Sequence, residues 1–320
     1  MAAKNPPVRA TVLDAITVVI AVRNGMPYVI EAVRSALGQG DAVDRVVVVD
    51  DGSEDETHAA VSALAEPRVR LLTNPGRGVS RARNAGAACA RTRWLLFLDA
   101  DDRLAEGAAA RLLAAASRDP SAVAIYGRHC RIDAAGRPLG HPFVAGMRRM
   151  VLDRGARPSG NILDTLVRGN FIINGGVVIV ARDAFERLGG FAPELSLCED
   201  WHLWCRLATL GPIHYLPEWV MDYRVHAVSV MMRNQRRFDD FKPALDAIYG
   251  DPGIRARLSP ADLASARSEA VTDLQSYCAV QAYRNGARRL GLAMAWDAAR
   301  RHPAKTPSLI LRVGAAMAGL

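Results

Sequence analysis

No apolar run in the sequence approaches the ~18–20 residues needed to cross a bilayer as a helix, so the expectation is a chain that is not integral to a membrane. Residues 1–14 carry Pro6-Pro7 and lack an apolar core with a cleavage site, and Ile16–Val22 has strand length, which argues against a signal peptide. The expected location is cytoplasmic. Cysteines are few. Cys89, Cys130, Cys198, Cys205 and Cys278 are odd in number and scattered, with no C-x-x-C pair, which excludes a disulfide framework and a zinc knuckle. The turn after the first apolar strand, Arg23-Asn24-Gly25-Met26-Pro27, lacks G-x-G-x-x-G, and no P-loop follows. A dinucleotide dehydrogenase and a P-loop NTPase are thereby excluded. Internal repeats and low-complexity tracts are absent.

What remains is a chain of 320 residues, half of them hydrophobic, enough for one large domain with an appendage or for two. The net charge of +8 is uneven: from Arg233 onward 14 Lys/Arg face 8 Asp/Glu. A basic tail either forms a solvated face or meets phosphates, an anionic membrane or an acidic partner.

One stretch organises the rest. Trp94-Leu95-Leu96-Phe97-Leu98 reads as a strand buried on both faces, and it ends in Asp99, Asp101 and Asp102. Carboxylates crowded at a strand end need a cation or abundant water. Asp99 and Asp101, two apart, could share one hard divalent ion such as Mg²⁺ or Mn²⁺. An Asp-rich turn capping the next helix is the competing reading.

The surroundings favour a site. Strands are expected at Ile16–Val22, Val46–Val49, Val69–Leu72, Trp94–Leu98, Val123–Tyr126 and Val177–Val180, and two more at Ile213–Leu216 and Met221–Val225. Helices are expected from Pro27 to Leu37, from Ser53 (in a capping box with Glu56) to Ala65, and from Ser80 to Arg91. Others should span Leu104 to Ala116, Asp183 to Leu188, and the stretch from Glu199. Small residues Ala82, Gly86, Ala87 and Ala90 permit close packing of the Ser80 helix on a sheet. Alternating strands and helices imply a parallel α/β sheet with ligands at the carboxyl ends of its strands, where Asp50, Asp51, Asp99 and Asp101 all fall. The stretch Arg131–Asn170 is irregular, and such long loops are functional or mobile. Beyond Arg233 the pattern is helical and rich in Ala and Arg.

Together these stretches resemble the family 2 glycosyltransferases, nucleotide-sugar enzymes of the GT-A fold. The resemblance covers Ala15 to Met231. Val18-Val19-Ile20-Ala21-Val22-Arg23-Asn24 looks like that family's first strand and turn, and Val48-Val49-Asp50-Asp51-Gly52-Ser53 like its nucleotide-contacting strand end. Ser80–Gly86 is similar to its "ARN-G" helix start, Phe97–Asp102 to its DxD motif, Cys198-Glu199-Asp200-Trp201 to its "ED" motif, and Tyr223-Arg224-Val225-His226 to a "YRxH" segment.

The resemblance implies a Rossmann-like, mostly parallel sheet flanked by helices over 14–232, with a nucleotide-sugar half (14–127) and an acceptor half (128–232). A helical extension, 233–320, would follow. It implies transfer of a sugar from a UDP-, GDP- or TDP-linked donor to a saccharide, lipid-linked or small-molecule acceptor, with inversion. Nucleic acid is not among the expected partners. Asp101, with Asp99 and His226, would hold a divalent metal acting as Lewis acid for the departing diphosphate. Ala21, Arg23, Asn24, Asp51, Arg83 and Asp99 would contact the donor. Asp200 would be the general base, supported by Glu199, Trp201 and Arg224. For Glu199-Asp200 a favourable position at a helix start is the bland explanation, and for His226 a hydrogen-bonded structural role stays equally open.

Two departures bear on the nucleotide: Ala21 replaces the usual Pro of the first turn and Arg23 the usual Tyr. The QxxRW motif of processive synthases is missing, which argues for transfer of a single sugar. A sugar nucleotidyltransferase would want a richer Gly/Arg loop than Gly25 supplies, and a response-regulator domain would be far shorter. The rival of another class is a catalytically silent module that binds nucleotide-sugar or scaffolds a complex. The segment Ser308–Leu320 is apolar and preceded by Arg300, Arg301 and Lys305. It reads as a helix packing on the protein or on a second subunit, with peripheral contact at the inner face of the membrane as the alternative.

Overall fold

The β-branched run Ile16–Val22 lies in β1 (Leu13–Val22), where Ile16 to Ile20 are sealed from solvent. The computed structural model describes residues 13–139, 157–226, 237–284 and 286–301. β2 (Val43–Asp50) and β4 (Thr92–Phe97) flank β1, and β3 (Val69–Thr73) lies outside β2, all parallel. The crossovers carry α1 (Val29–Leu37), α2 (Thr57–Ser62) and α3 (Val79–Ala87). α1 buries Val29, Ala32, Val33 and Ala36, one stripe at helical spacing. On α3, a Cβ at Gly86 would lie 2.4 Å from Val19 Cγ1 and 3.2 Å from Val49 Cγ2. The small residue sets the depth at which the helix seats, as the sequence implied.

The second half continues the same sheet with β5 (Arg103–Leu104), α4 (Ala108–Ala116), β6 (Ala124–Ile132) and α5 (Leu163–Leu166). Then follow β7 (Val178–Ala181), α6 (Arg182–Arg187), α7 (Glu199–Leu207) and β8 (Ile213–Arg224). The eight strands run β3-β2-β1-β4-β7-β6-β8-β5. β7 is antiparallel to both β4 and β6, β8 is parallel to β6, and β5 is antiparallel to β8.

Local expectations shift in three places. The helix expected from Ser53 starts only after Glu56, and no capping box forms: the Ser53 hydroxyl accepts from Asn24 N at 3.0 Å, and its own amide donates to Asp50 Oδ1 at 2.8 Å. The helix expected from Leu104 begins at Ala108, because Arg103 and Leu104 pair with Asp222 and Met221 as β5, and Gly107 turns the chain with φ 66°. The two strands expected at 213–216 and 221–225 are one strand, β8. Register irregularities of its β6 partner around Arg128 accommodate Pro217, which has no amide to donate.

Beyond residue 237, α8 (Lys242–Gly250), α9 (Pro252–Arg255), α10 (Pro260–Arg284) and α11 (Arg288–Arg301) form the expected helical extension. Leu245, Ile248, Tyr249, Ile254 and Ala266 join the main core. The Tyr249 hydroxyl donates to the carbonyls of Val167 and Ala266, Arg168 pairs with Glu269, and Arg206 with Asp251 at 3.4 Å. This extension is therefore seated against α5 and α7. The apolar stretch 308–320 and the middle of the Arg131–Asn170 loop fall outside the described residues. Among the described residues no helix is long and apolar enough to cross a membrane.

Candidate active site

The carboxyl ends of β1, β2 and β4 and the start of α7 meet at one edge of the sheet. Three loops are fastened there by side chain to backbone bonds. Asn24, in the left-handed region at φ 54°, accepts from Glu54 N at 2.8 Å. Gly25 N donates to Thr57 Oγ1 at 2.8 Å and Met26 N to Asp55 at 3.1 Å. Asp51 accepts from Gly78 N through both oxygens (3.1 and 2.9 Å) and from Asn74 Nδ2 at 2.6 Å, so it orders the 74–78 loop. Ala21 sits half-buried on β1 opposite Val49, and Arg23 is half-exposed, 3.6 Å from Glu54. Asp50 is buried and committed to Ser53, so of the four strand-end carboxylates it is structural.

Asp99, Asp101 and Asp102 converge, with a carboxylate oxygen of each within 4.8 Å of the others. Asp102 is buried and spoken for on both oxygens: Arg224 N donates to Oδ1 at 2.8 Å and Asn174 Nδ2 to Oδ2 at 2.9 Å. Asn174 Nδ2 also reaches Asp99 Oδ2 at 2.9 Å. Burial and the charges of Asp99 and Asp101 push the Asp102 carboxyl well above the usual range. Burial and Asp99 raise Asp101 as well, while the His226 hydrogen bond works the other way. His226 Nε2 meets Asp101 Oδ2 at 2.9 Å, and its Nδ1 is buried with no hydrogen-bond partner. These are hard oxygen donors, crowded enough that proton uptake is favoured and flanked by an orphaned imidazole nitrogen. That donor set suits Mg²⁺ or Mn²⁺, with Asp99 and Asp101 each about a third exposed and Asp102 buried.

Arg83 lies at the centre. One terminal nitrogen donates to Asp99 Oδ1 and the other to Glu199 Oε1, both at 2.7 Å, and its plane lies over Phe191. Burial opposes its charge, but Asp99 and Glu199 outweigh that and hold it protonated. The neighbouring Asn84 clamps the backbone of Phe191 through both donor and acceptor (2.8 and 2.9 Å).

Glu199 and Asp200 open α7, whose N-cap Cys198 is in the left-handed region at φ 56°. That conformation is unfavourable for a side chain bearing Cβ and needs support from its surroundings. The helix that follows is anchored by Trp201 and Trp204, both buried, with indole N–H groups bonded to Leu166 O (2.7 Å) and Ile172 O (3.2 Å). Burial and the Glu199 charge push the Asp200 carboxyl up to about 7, offset in part by the Trp201 amide at 2.6 Å.

Arg224 is almost wholly buried. It donates to Asp101 O at 2.8 Å, pairs with Glu31 at 2.5 Å and lies 4.6 Å over the Tyr28 ring, which in turn stacks 4.9 Å from His226. Asn174, Tyr28 and Glu31 were not legible from sequence. Asn174-Gly175-Gly176 signals a turn, but nothing in its spacing says that the turn meets the Asp99 strand end.

A sequence model described as "Glycosyl transferase family 2" matches residues 17–188, more than half of the chain. The chain belongs to glycosyl transferase family 2. Among relatives of this glycosyltransferase, the succinoglycan biosynthesis protein ExoO of Rhizobium meliloti is 40% identical over 122 residues, 38% of this chain and 35% of ExoO. The match thus spans about a third of ExoO. An uncharacterized Mycobacterium tuberculosis protein is 28% identical over 260 residues, covering 78% of this chain and 79% of its own. An Escherichia coli chondroitin synthase is 25% identical over 203 residues, 63% of this chain and 27% of that enzyme. The crystal structure of Staphylococcus aureus TarS 1–349 with UDP-GlcNAc superposes with TM-score 0.63 at 17% identity, covering 95% of this chain and 87% of that one. At that identity the likeness shows the fold, GT-A.

Proposed function

We propose that the enzyme moves one sugar from a nucleotide-diphosphate donor to an acceptor hydroxyl with inversion. The observation that carries the reading is the Arg83 bridge, which ties the Asp99 strand end to the Glu199-Asp200 helix start. Donor and acceptor chemistry can then meet across one guanidinium. Asp200 is the base: a carboxylate raised to about 7 is basic enough to take a hydroxyl proton near neutrality. The acceptor oxygen bonds to the anomeric carbon as its proton passes to Asp200, and the bond from that carbon to the diphosphate oxygen breaks with its electron pair. Asp101, Asp99 and His226 would hold a divalent cation, which when bound offsets the charge of the leaving diphosphate. Asp51, Arg23, Asn24 and Ala21 line the loops assigned to the nucleotide. Arg83, already engaged by two carboxylates, fixes Asp99 there. Glu199, Trp201 and Arg224 set the geometry.

The catalytic unit is assigned to 14–232 and the helical extension to 233–320. ExoO and the chondroitin synthase are named for polysaccharide biosynthesis, which favours an envelope or capsular polysaccharide acceptor over a small-molecule one. Asp200→Asn tests the reading. Transfer should fall by about 10²–10⁴-fold while nucleotide binding is kept. Unchanged turnover would remove Asp200 from the chemistry, and an inert wild-type chain that still binds donor would identify a silent binding module.

A further inference from the structure

α11 is amphipathic in an unusual sense: its packing face is made of small residues and its outer face of large ones. Gly291, Ala295 and Ala298 point inward against α10. A Cβ at Gly291 would lie 2.7 Å from Ala279 O and 2.8 Å from Tyr283 N. The partner side of this helix is therefore already used. On the opposite side Arg289, Leu292, Ala293, Trp296 and Arg300 recur at i, i+3, i+4, i+7 and i+11, all exposed. Trp296 is 69% exposed and Leu290 58%, the two highest values among the large apolar side chains described, and Leu292 is 46% exposed.

Charge selects the occupant. Residues 233–283 carry seven basic and seven acidic residues, whereas 284–320 carry seven basic residues against the single Asp297. The whole excess of the tail lies at this end of the chain. A second copy docking by the same face would bring arginine against arginine at positions 289 and 300, a like-charge arrangement that opposes self-association. An anionic bilayer complements both features, since Trp and Leu seat at the headgroup–acyl boundary while arginines meet lipid phosphates.

We infer that the outer face of α11, centred on Trp296 and flanked by Arg289 and Arg300, is a docking surface for an anionic membrane. It lies on α11, which carries none of the donor-site residues, and is independent of the acceptor that site takes.

The test is co-sedimentation of the full chain with phosphatidylcholine vesicles and with mixed phosphatidylglycerol–phosphatidylcholine vesicles. The chain should pellet with the mixed vesicles alone, and less so as salt is raised. Arg289→Gln and Arg300→Gln should each weaken partition roughly five-fold, Arg300→Lys should retain it, and Trp296→Ser should abolish most of it with helix content unchanged. Equal pelleting with neutral vesicles, no pelleting, or variants that bind as the wild type would overturn the assignment. So would light scattering that showed a dimer dissolved by Trp296→Ser.

Discussion

Asp99 and Glu199, at the end of one strand and the start of a distant helix, share a single guanidinium: Arg83 reaches each at 2.7 Å from a buried position. Removing that cation leaves two carboxylates facing each other beside Asp101, Asp102 and Asp200. Arg83→Met is expected to lower stability by about 3–5 kcal/mol, the scale for stripping one partner from a buried ion pair. Arg83→Lys keeps the charge but cannot span both carboxylates, so it should fall between. Chemical denaturation of the three proteins measures the order, and a Met variant as stable as wild type would show that the bridge is idle.

Asp200 sets a pH dependence in two directions. Its folded value near 7 lies above the ordinary 3.8, so the native state binds more protons than the unfolded state between those values. Stability from this group is greatest at low pH and falls as pH rises toward 7, whereas the ionised form required of Asp200 by the proposed mechanism appears only through that range. The rate should climb with pH to a plateau above about 7. Asp200→Asn should be more stable than wild type at pH 8, by on the order of 1 kcal/mol. A flat rate profile from pH 5 to pH 8 would contradict both.

Asn174 spends both amide hydrogens on Asp99 and Asp102 and accepts from Gly176 N at 2.6 Å. Asn174→Asp exchanges a double donor for a fourth carboxylate. A loss of about 2–4 kcal/mol is expected at neutral pH, shrinking as the cluster is protonated. Melting temperatures measured from neutral to acid should converge with those of the wild type, and parallel curves would show that charge is not the cause.

Gly175, the next residue, has no room for a side chain. A Cβ there would stand 2.5 Å from Phe97 O and 3.0 Å from Phe97 Cβ, on a central strand that cannot retreat. Gly175→Ala should cost about 2–3 kcal/mol and depress transfer by displacing Asn174. Gly189→Ala, strained by its φ of 74° but without a neighbour within 4 Å, gives the comparison for backbone strain without crowding.

The uninterrupted apolar runs made β1, β2 and β4 legible, because a strand buried on both faces has no other composition open to it. The carboxylates at their ends were legible because they interrupt that pattern, whereas the Glu199-Asp200 pair stood out only through its likeness to the family's "ED" motif. Asn174, Tyr28 and Glu31 were not, since their roles come from sheet order, which places β7 beside β4 and α1 beside Arg224. β8 was divided in two because Pro217, Glu218 and Trp219 break the apolar pattern at a point where pairing with β6 is irregular but continuous. Arg83 was expected at the donor, and its partners turned out to be carboxylates that only the fold brings within reach.

Whether Asp101 belongs to a metal-assisted nucleotide site is read most simply from a thermal shift. UDP, GDP and TDP are each added with and without Mn²⁺ to the wild-type protein and to Asp101→Ala. A ligand bound only by the native state at ~100 times its Kd stabilises by about 2.7 kcal/mol, a readily measured rise in midpoint. A Mn²⁺-dependent rise is expected for one nucleotide, and Asp101→Ala should abolish it. No rise with any nucleotide, or an equal rise in the variant, would contradict that assignment.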